Sequence, residues 1–486
     1  MRIIPSAVRT ALVTAITAVG LTTTSLHAQA ASQDDINALR EQIRQLDQKL
    51  RALERNTEIK EETAAAAAKK QTVVSASDKG FSITSGDKAY SLKFGLLAQF
   101  DSRLFFDDGV ANRNGFFLRR IRTPLSGTVG NIYDFNITPE LGANAIASTS
   151  TTVGLIDAWL SARLTPSFNI KAGRFISPIA LEPGSNRHFI ESPFVNTLLP
   201  NRDIGIESFG KVAADYVDYR LGVYSGTRNN TQAFSTDEGD GDKKIAGRLT
   251  LAPLKSIKDS AWSKLSLGFG AGVGNQRGVG TIGGANGLQN IVTNGQQTLL
   301  SYRNATTGNG VIANGRHVQL SPSIEWYPGN PWSFVGEYAS EKQTFTRYVG
   351  AVANNTFDAT STAWRATIGY VLTGEEATKS GVTPSAPFNF ENGSWGAFEL
   401  VGRVSGIDLG NELFYTGAQG GGNLNKYTNA TGAVAYGAGL NWYLNKNVRL
   451  LFDVEKTDLT YGGSPAATGG AKADELYWFS RFQLSF

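Results

Sequence analysis

From about Phe81 to the C-terminus, apolar and polar residues alternate within short segments that turn-forming residues separate. In the segment that begins near Tyr90, one face carries an apolar set: Leu92, Phe94, Leu96, Ala98 and Phe100. Lys93, Gln99 and Asp101 fall on the opposite face. Because successive side chains of a strand point to opposite sides, this period of two predicts strands that separate lipid from water.

The alternating pattern recurs in sixteen segments, and the connections between them are by turns short and long. A soluble sandwich of so many strands would leave exposed edges, whereas closing the sheet removes them. The sequence therefore predicts an all-β transmembrane barrel of sixteen antiparallel strands over residues 81–486. The long polar loops are expected to include Thr344–Ser361. One connection, Gly374–Ser394, is long on the side of the short turns, and we expect it to fold inward or to make a further contact.

The N-terminal part of the chain has a different pattern. A positively charged start, an apolar run and the small residues Ala28–Ala30 predict a secretory signal peptide over residues 1–30. A spacing of three and four then predicts a coiled-coil helix over residues 31–57, with one apolar seam: Ile36, Leu39, Ile43, Leu46, Leu50 and Leu53. A single amphipathic helix lying on another surface is the alternative. Residues 58–80 are predicted to be a helical or flexible linker.

Several kinds of chemistry are disfavoured by the residue types present. The chain has no cysteine, which excludes a disulfide framework and a thiol nucleophile, and its net charge of +4 does not resemble that of a nucleic-acid binder. His188 and His317 have no metal-ligand spacing around them, and no Gly-x-Ser-x-Gly elbow occurs. The run Gly268–Gly274 alternates glycines within a strand, which indicates tight curvature or close packing between barrel walls. We expect no catalytic residue, metal, cofactor or nucleic-acid partner, and no enzyme.

A long loop, Gly173–Ile206, follows the fifth predicted strand and is the candidate constriction of the barrel. Two apolar parts of it, Ile176–Leu181 and Phe194–Leu199, are expected to pack against the wall. Its basic side chains are expected to face an ion path: Arg187, His188 and Arg202.

Four stretches of the sequence resemble the phosphate-selective porins of the O and P type: Phe116–Gly127, Gly173–Glu182 with Leu198–Ile206, Trp395–Leu409 and Leu440–Val454. The resemblance implies a sixteen-stranded barrel, a homotrimer, and diffusion of phosphate-like anions along arginines and lysines. It also implies that Arg119 and Arg120 belong to a basic ladder on the wall. Strict alternation lets only one of these two point inward, so Arg119 rests on the resemblance alone.

The phase of the strands places a set of arginines on the lumen side. An arginine facing lipid near the membrane centre costs roughly 2–4 kcal/mol, and the guanidinium group binds phosphate oxygens in pairs. Together with the loop arginines and Arg119, the predicted anion path contains Arg119, Arg120, Arg122, Arg163, Arg187, Arg202, Arg220, Arg248, Arg365, Arg403, Arg449 and Arg481. Arg174 falls on the outward phase unless a bulge or the rim displaces it.

The alternative is that many of these arginines pair with lumen carboxylates and only stiffen the wall. Arg403 shares a face with Glu399, and Arg202 has Asp203 beside it. Selectivity is then expected from arginines left unpaired near the constriction, with Arg187 and Arg202 the best loop candidates.

The predicted function is passive, anion-preferring diffusion of phosphate, polyphosphate or similar small anions across the outer membrane of a Gram-negative bacterium, with the coiled coil in the periplasm. The expected partners are outer-membrane lipid, inorganic anions and two further copies of the chain. Two alternatives remain: a general small-solute porin, and a structural barrel whose coiled coil contacts peptidoglycan.

Overall fold

The computed structural model describes residues 33–106, 114–142, 154–181, 187–226, 241–257, 260–278, 287–302, 309–349, 352–416, 419–462 and 474–486. The predicted signal peptide lies outside the described residues. Two compact units make up the chain, one ending at Lys70 and the other beginning at Gln71.

The first unit contains one long helix, α1 (Gln33–Lys70), whose first turn carries Asp34 and Asp35. Carboxylates stabilise this end of a helix because they face its unpaired N–H groups. The helix continues past residue 57, so the predicted boundary between helix and linker lies within α1. Its apolar seam is exposed in the single chain, and Leu53 is 66% exposed. No helix of the described residues has the length and apolar character needed to cross a membrane.

The second unit is built on one antiparallel sheet of twenty strands, with a separate two-stranded hairpin. The strands are β1 (Val73–Ser77), β2 (Gly80–Thr84), β3 (Ser91–Phe94), β4 (Leu97–Phe105), β5 (Gly115–Arg122), β6 (Leu125–Val129), β7 (Tyr133–Glu140), β8 (Gly154–Arg163), β9 (Asn169–Ile176), β10 (Arg202–Val212), β11 (Val217–Tyr224), β12 (Lys244–Leu251), β13 (Leu265–Arg277), β14 (Ile291–Val292), β15 (Thr298–Leu300), β16 (Asn309–Trp326), β17 (Trp332–Val349), β18 (Val352–Val371), β19 (Ala397–Asp408), β20 (Gly432–Tyr443), β21 (Val448–Thr460) and β22 (Glu475–Ser485). Three short helical turns occur at Val195–Leu198, Ala261–Lys264 and Asn411–Leu413.

The sheet closes because its last strand, β22, pairs antiparallel with β4. β3 and β4 together form the first barrel strand, and β5 and β6 form the second, which is interrupted before Leu125. Pro124 stands at this interruption and has no N–H to donate to a ladder. With the hairpin β1–β2 set aside, sixteen strands follow one another around the barrel. The predicted closed sixteen-stranded antiparallel barrel is confirmed.

The two faces of the barrel have opposite chemistry, as the alternation predicts. Large apolar side chains are exposed on the outside: Phe100, Leu118, Leu160, Ile206, Leu221, Leu249, Phe269, Ile324, Trp364, Leu400, Tyr436 and Phe482. Inward positions carry buried polar groups, among them Gln99, Asp101, Glu337, Glu399 and Asn441. A surface of this kind places the apolar side chains against lipid and the polar ones around the lumen.

One expected long loop is part of the sheet instead. The polar stretch Thr344–Ser361 extends the two neighbouring strands, so that β17 ends at Val349 and β18 begins at Val352. The pairing continues through Phe345 and Phe357, whose rings stack at 5.4 Å. This stretch was predicted to be a loop because it lacks an apolar face. A hairpin that extends beyond the lipid belt does not need such a face, so polar strands occur there.

The seam where the barrel closes is also where the chain ends. The backbone N–H of Phe486 donates to Leu96 O, and the ring of Phe486 contacts Phe81 of the hairpin β1–β2. A Cβ on Gly95 would lie 2.7 Å from the carbonyl oxygen of Phe486. The closing seam therefore requires glycine at position 95.

Gly95→Ala is expected to lower barrel stability by about 1–3 kcal/mol, because the new methyl group overlaps the C-terminal backbone. The measurement is the midpoint of thermal unfolding, followed by the shift in gel mobility on heating. Gly115→Ala is the matched control, since a Cβ there meets nothing within 4 Å. Equal midpoints for the two variants would contradict the role of Gly95.

Candidate functional site

The long loop between β9 and β10, residues 177–201, lies inside the barrel, and all of it except residues 182–186 is described. Its apolar side chains are fully buried against the wall: Ile179, Phe194, Val195, Leu198 and Leu199. The prediction that the two apolar parts of this loop pack against the wall is therefore confirmed.

A row of glycines on β13 makes room for the loop. A Cβ on Gly270 would lie 1.9 Å from the carbonyl oxygen of Ile179, and a Cβ on Gly272 would lie 2.5 Å from the end of the Ile179 side chain. The alternating glycines were predicted to permit curvature or close packing. The structure shows close packing, and the packed segment is the loop.

Wall arginines hold the loop in place by bonding to its backbone. Among the residues that the structure describes, five wall arginines donate to carbonyl oxygens of the loop or of the residue from which it starts: Arg220 to Ile176 at 2.7 Å, Arg248 to Ile179 at 2.8 Å, Arg449 to Arg187 at 3.0 Å, Arg481 to Ile190 at 2.9 Å and Arg403 to Glu191 at 2.8 Å. The same guanidinium groups also donate, in that order, to Glu207, Ser323, Gln483, Asp101 and Glu455 on the wall. Each arginine thus joins a loop carbonyl to a wall side chain.

Glu191, near the middle of the loop, is bonded to arginines of the wall. Arg119 Nε donates to it at 2.9 Å, Arg103 also bonds to it, and Arg481 lies 3.8 Å away. Burial acts to raise the pKa of this carboxyl, but Arg119 and Arg103 outweigh burial and hold the pKa well below its ordinary value. The charge of the loop at this point is therefore fixed.

The structure corrects the expectation that only one of the paired arginines faces inward. Gln99 pairs with Arg120 and Phe100 with Leu118, so Arg119 is an extra residue on β5. Such a bulge puts two neighbouring side chains on one face. Both Arg119 and Arg120 are buried inside the barrel. Strict alternation failed here because the pairing register shifts by one residue.

Two basic residues near the middle of the loop, Arg187 and His188, are also bonded to side chains of the wall. Arg187 pairs with Glu399 at 2.9 Å, so the expectation that Arg187 is left unpaired is wrong. It also donates to the carbonyl of Thr378 at 2.6 Å, and the long connection after β18 thereby makes the further contact that was predicted for it. His188 Nε2 lies 3.0 Å from Ser333 Oγ. Burial and the charge of Arg187 hold the pKa of His188 well below its ordinary value, so the imidazole is neutral.

Arg202 pairs with Asp157 at 2.9 Å, and the expected pair with Asp203 is not formed. Asp203 instead accepts from the N–H of Ile204. Arg403 likewise pairs with Glu455 at 2.7 Å, whereas Glu399, its expected partner, binds the loop. Sequence neighbours were the wrong partners because each of these arginines reaches across one intervening strand, β9 for Arg202 and β20 for Arg403, to a carboxylate two strands away.

The remaining predicted residues have different surroundings. Arg122 pairs with Glu140 at 2.6 Å, and Arg365 lies 3.2 Å from Glu337. Arg163 is 52% exposed and pairs with Asp134, so it lies at the rim of the short turns and not in the lumen. Arg174 is buried and donates to Ile156 O, although strict alternation placed it outside. The preceding Gly173 has φ +125°, a conformation that redirects the strand.

Arg120 has a neutral partner where most wall arginines have a carboxylate. It donates to Gln99 Oε1 at 2.9 Å, and its Nε has no hydrogen-bond partner among the described residues. Direct cross-strand pairing continues from Gln99 to Gln483 and on to Arg449. Gln99 donates to Gln483 at 2.8 Å, and Arg449 donates to the same amide oxygen at 3.2 Å. We call these four residues the arginine–glutamine row.

A second segment that folds inward was not predicted. The hairpin β14–β15 lies within the loop between β13 and β16, and its tip is bonded to Glu475. Thr293 Oγ1 donates to this carboxylate at 3.1 Å, and Gly295 N donates to it at 3.1 Å. The polar composition of this loop did not reveal the hairpin, because the apolar residues that bury it, Leu299 and Leu300, are few.

Two residues of the site escaped the prediction although a signal existed for one of them. Arg103 has the same phase as Gln99 and Asp101 on the first barrel strand, so alternation alone could have placed it in the lumen. Glu191 gave no such signal, because its loop has no period. Within the described residues, no group of three or more His, Cys, Asp or Glu side chains could hold a metal ion.

A closed barrel of sixteen strands with a loop folded into its lumen is the architecture of a channel that spans a membrane with strands. The family profile of the phosphate-selective porins O and P matches residues 91–484, and the chain therefore belongs to this family. It is an outer-membrane porin of a Gram-negative bacterium. The resemblance inferred from the four sequence stretches is confirmed.

Solved structures with a similar fold have little sequence in common with this chain. An anion-selective porin from Comamonas acidovorans is 11% identical, with 82% of this chain and all of that one covered and a TM-score of 0.47. OmpT of Vibrio cholerae in its trimer form is 10% identical, with 82% of this chain and 100% of that chain covered and a TM-score of 0.48. The channel DcaP of Acinetobacter baumannii is 8% identical, with 82% of this chain and 98% of that chain covered and a TM-score of 0.49. No curated protein sequence matches. At these values the structural likenesses carry no functional argument.

Glu191→Gln is expected to release the loop, because it removes the carboxylate to which the buried Arg119 and Arg103 are bonded, while Asp101 remains as a partner of Arg103 and Arg481. Breaking a buried ion pair costs about 3–5 kcal/mol. The folded-state pKa of Glu191 is depressed, so its contribution is complete above the ordinary pKa of 4.5 and is lost as the pH falls through the lower folded-state value.

The measurements are thermal unfolding as a function of pH and single-channel conductance, which should rise when the loop moves. Glu376→Gln is the control, because Glu376 forms an exposed pair with Lys264. A Glu191→Gln protein with unchanged conductance and wild-type stability at pH 7 would contradict the anchoring role.

Proposed function

We propose that the protein is a passive porin that prefers small anions, phosphate and polyphosphate among them, and that the arginine–glutamine row is the part of its wall that attracts them. The observation that carries this proposal is Arg120, a buried guanidinium group whose bonded partner is a neutral amide. Arg119, Arg122 and Arg481 lie close enough to act on it electrostatically, and so does one carboxylate, Glu191 of the loop. An anion entering this region meets positive charge that no carboxylate hydrogen-bonded to Arg120 cancels.

The other predicted path residues take a smaller part in this proposal. Most of the inward arginines are bonded to carboxylates, and a paired guanidinium group attracts an anion less strongly than an unpaired one. Arg187 and Arg202 are among the paired ones. Their main task in this proposal is to hold the loop that narrows the lumen, while Arg122 and Arg449 flank the path beside Arg120.

A general porin with little charge preference is the second candidate. The observation that favours it is the same pairing, because a wall whose arginines and carboxylates balance attracts neither sign of ion strongly. The two candidates differ in the expected effect of removing the charge at position 120: the anion-to-cation permeability ratio falls in the first and stays the same in the second.

Arg120→Gln is expected to lower the anion-to-cation permeability ratio. A unit charge at about 4 Å in water contributes about 1 kcal/mol, which corresponds to about a fivefold change in relative permeability. The measurement is the reversal potential of the reconstituted channel in chloride and phosphate gradients. Arg163→Gln is the matched control, since Arg163 is an exposed rim residue paired with Asp134. Equal reversal potentials for Arg120→Gln and wild type would favour the general porin, and a cation preference of the wild type would exclude the anion proposal.

We also propose that the protein is a homotrimer and that helix α1 forms a coiled coil in the periplasm after removal of the signal peptide. The exposed seam of α1 supports this proposal, since Leu46 is 64% and Leu39 is 62% exposed in the single chain. Heptads of this kind bury such side chains by pairing with other helices. Contact between this coiled coil and peptidoglycan is a further possibility that the same experiment covers.

Removal of residues 33–70 from the full-length protein is expected to weaken the trimer while leaving the barrel folded, because the helix and the barrel are separate compact units. The measurements are oligomer mass in detergent and co-sedimentation with purified peptidoglycan. Substitution of Leu39 and Leu46 by glutamine is the milder variant, with Arg40→Gln as its exposed control. An unchanged oligomer mass in both variants would contradict a role of the seam in assembly.

A further inference from the structure

Three apolar or partly polar cavities lie on the outer surface of the described part of the barrel, and two of them lie at different heights on β16–β18. The first, which we call the rim pocket, has a volume of about 490 Å³ and lies on β16–β18 towards the long loops, with Arg316, Lys342, Thr344 and Asp358 in its lining. The second, which we call the outer groove, has a volume of about 910 Å³ and lies closer to the short turns. It runs across the strands from β13 to β22, with Ile324, Phe334, Gly336, Ala366 and Gly402 in its lining. The third, of about 660 Å³, lies on β10–β13 and meets the rim pocket at Leu320.

The side chains of the rim pocket point away from the lumen. Arg316 shares its phase with the exposed Leu320, and Lys342 shares its phase with the exposed Tyr338. Their neighbours Gln319 and Gln343 are buried inside the barrel. The rim pocket therefore belongs to the surface that faces lipid, and it takes no part in the channel.

The rim pocket contains more positive than negative charge. Lys342 Nζ lies 3.0 Å from Asp358 Oδ2, and Thr344 Oγ1 donates to Asp358 Oδ1 at 2.7 Å. Arg316 lies near enough to Asp358 to act on it electrostatically. Two cationic groups against one carboxylate leave an excess of one positive charge, with a hydroxyl group beside it. A phosphate group would complement this set.

The position of the rim pocket along the barrel corresponds to the level of lipid headgroups. The exposed aromatic residues Tyr338 and Trp364 lie on its lower side, and aromatic side chains of this kind mark the border of the hydrocarbon region. Lys342 lies four residues beyond Tyr338, which is about 13 Å along a strand. Because the long loops of such barrels are extracellular, this is the headgroup level of the outer leaflet.

The outer groove continues the surface into the hydrocarbon region. Its floor is formed by small residues that are cross-strand neighbours, since Gly336 pairs with Ala366 and Gly402 pairs with Ala438. Larger side chains such as Phe334 and Ile324 stand beside this floor. A shallow apolar groove that is bordered by larger apolar side chains fits an extended acyl chain.

We propose that the outer face of β16–β18 binds an anionic lipid of the outer leaflet, with a phosphate group in the rim pocket and an acyl chain in the outer groove. The two cavities have the polarity and the order that such an amphiphile requires. A second copy of the chain would have to cover the excess positive charge at the rim and the apolar groove at once, whereas a phosphorylated lipid supplies both complements in one molecule.

The proposal is tested with full-length protein in neutral detergent and two probes, bisphosphorylated lipid A and the same lipid after removal of its phosphates. The measured quantity is the affinity of each probe by native mass spectrometry. Wild type should prefer the phosphorylated form, and Arg316→Gln with Lys342→Gln should lower that preference about thirtyfold, since each of the two basic side chains near a membrane surface contributes about 1 kcal/mol. Equal affinity of wild type for both probes would overturn the proposal, as would a double variant that retains the preference.

Lys255→Gln is the matched control, because Lys255 forms an exposed ion pair with Asp215 on the opposite rim. It should retain the full preference. A heat-modifiable gel shift confirms that each variant is folded before its affinity is counted.

Two further variants examine the outer groove and the other possible occupant. Gly402→Leu places a side chain in the outer groove, where a Cβ would meet Ile368 at an ordinary 3.4 Å, and should weaken binding of both probes. The chain has no cysteine, so Ser340→Cys provides a single thiol beside the rim pocket. Disulfide-linked dimers of this variant in liposomes would place a second copy on this face and overturn the lipid proposal, and unchanged binding by Gly402→Leu would overturn the assignment of the outer groove.

Discussion

The interior of this barrel depends on guanidinium groups that bond to a backbone. A loop of some 25 residues cannot enter a lumen unless its carbonyl groups find donors there, because a buried carbonyl without a partner is costly. Arg220, Arg248, Arg403, Arg449 and Arg481 supply those donors, and most of them are neutralised by a carboxylate on the wall. Arginine suits this task because one planar group can donate in two directions at once. The arginines that suggest an anion path therefore have a structural role as well, because they hold the loop inside the barrel.

This double use explains why the charge of the lumen is uneven. Where the loop needs an anchor, positive and negative groups are matched, as they are around Glu191 and Glu399. At the arginine–glutamine row, Arg120 is bonded to Gln99, and an amide does not cancel its charge. The proposed selectivity thus comes from a place where structural pairing is incomplete. A count of inward arginines would overestimate the attraction of the lumen for anions.

The outer face is under a different constraint. Contact with lipid stabilises apolar side chains there, whereas an unpaired charge facing lipid destabilises the barrel. The departures from the apolar pattern on this face are consequently informative. Arg316 and Lys342 stand just beyond the aromatic border, where headgroups begin. The small residues Gly336 and Gly402 interrupt a surface of large side chains and line the outer groove. Both features concern the membrane around the channel and not the solute inside it.

Local pattern was sufficient for the number of strands, their closure and the inward position of most wall arginines, because the period of a strand repeats at every second residue whatever surrounds it. It was also sufficient for the packing of Ile179 and Leu198, since apolar loop residues have few other places to go. The bulge at Arg119, the pairs Arg202–Asp157 and Arg403–Glu455, and the inward hairpin β14–β15 could not be read in this way. Each depends on the register between segments that are distant in the chain, and register is set only when the whole barrel closes.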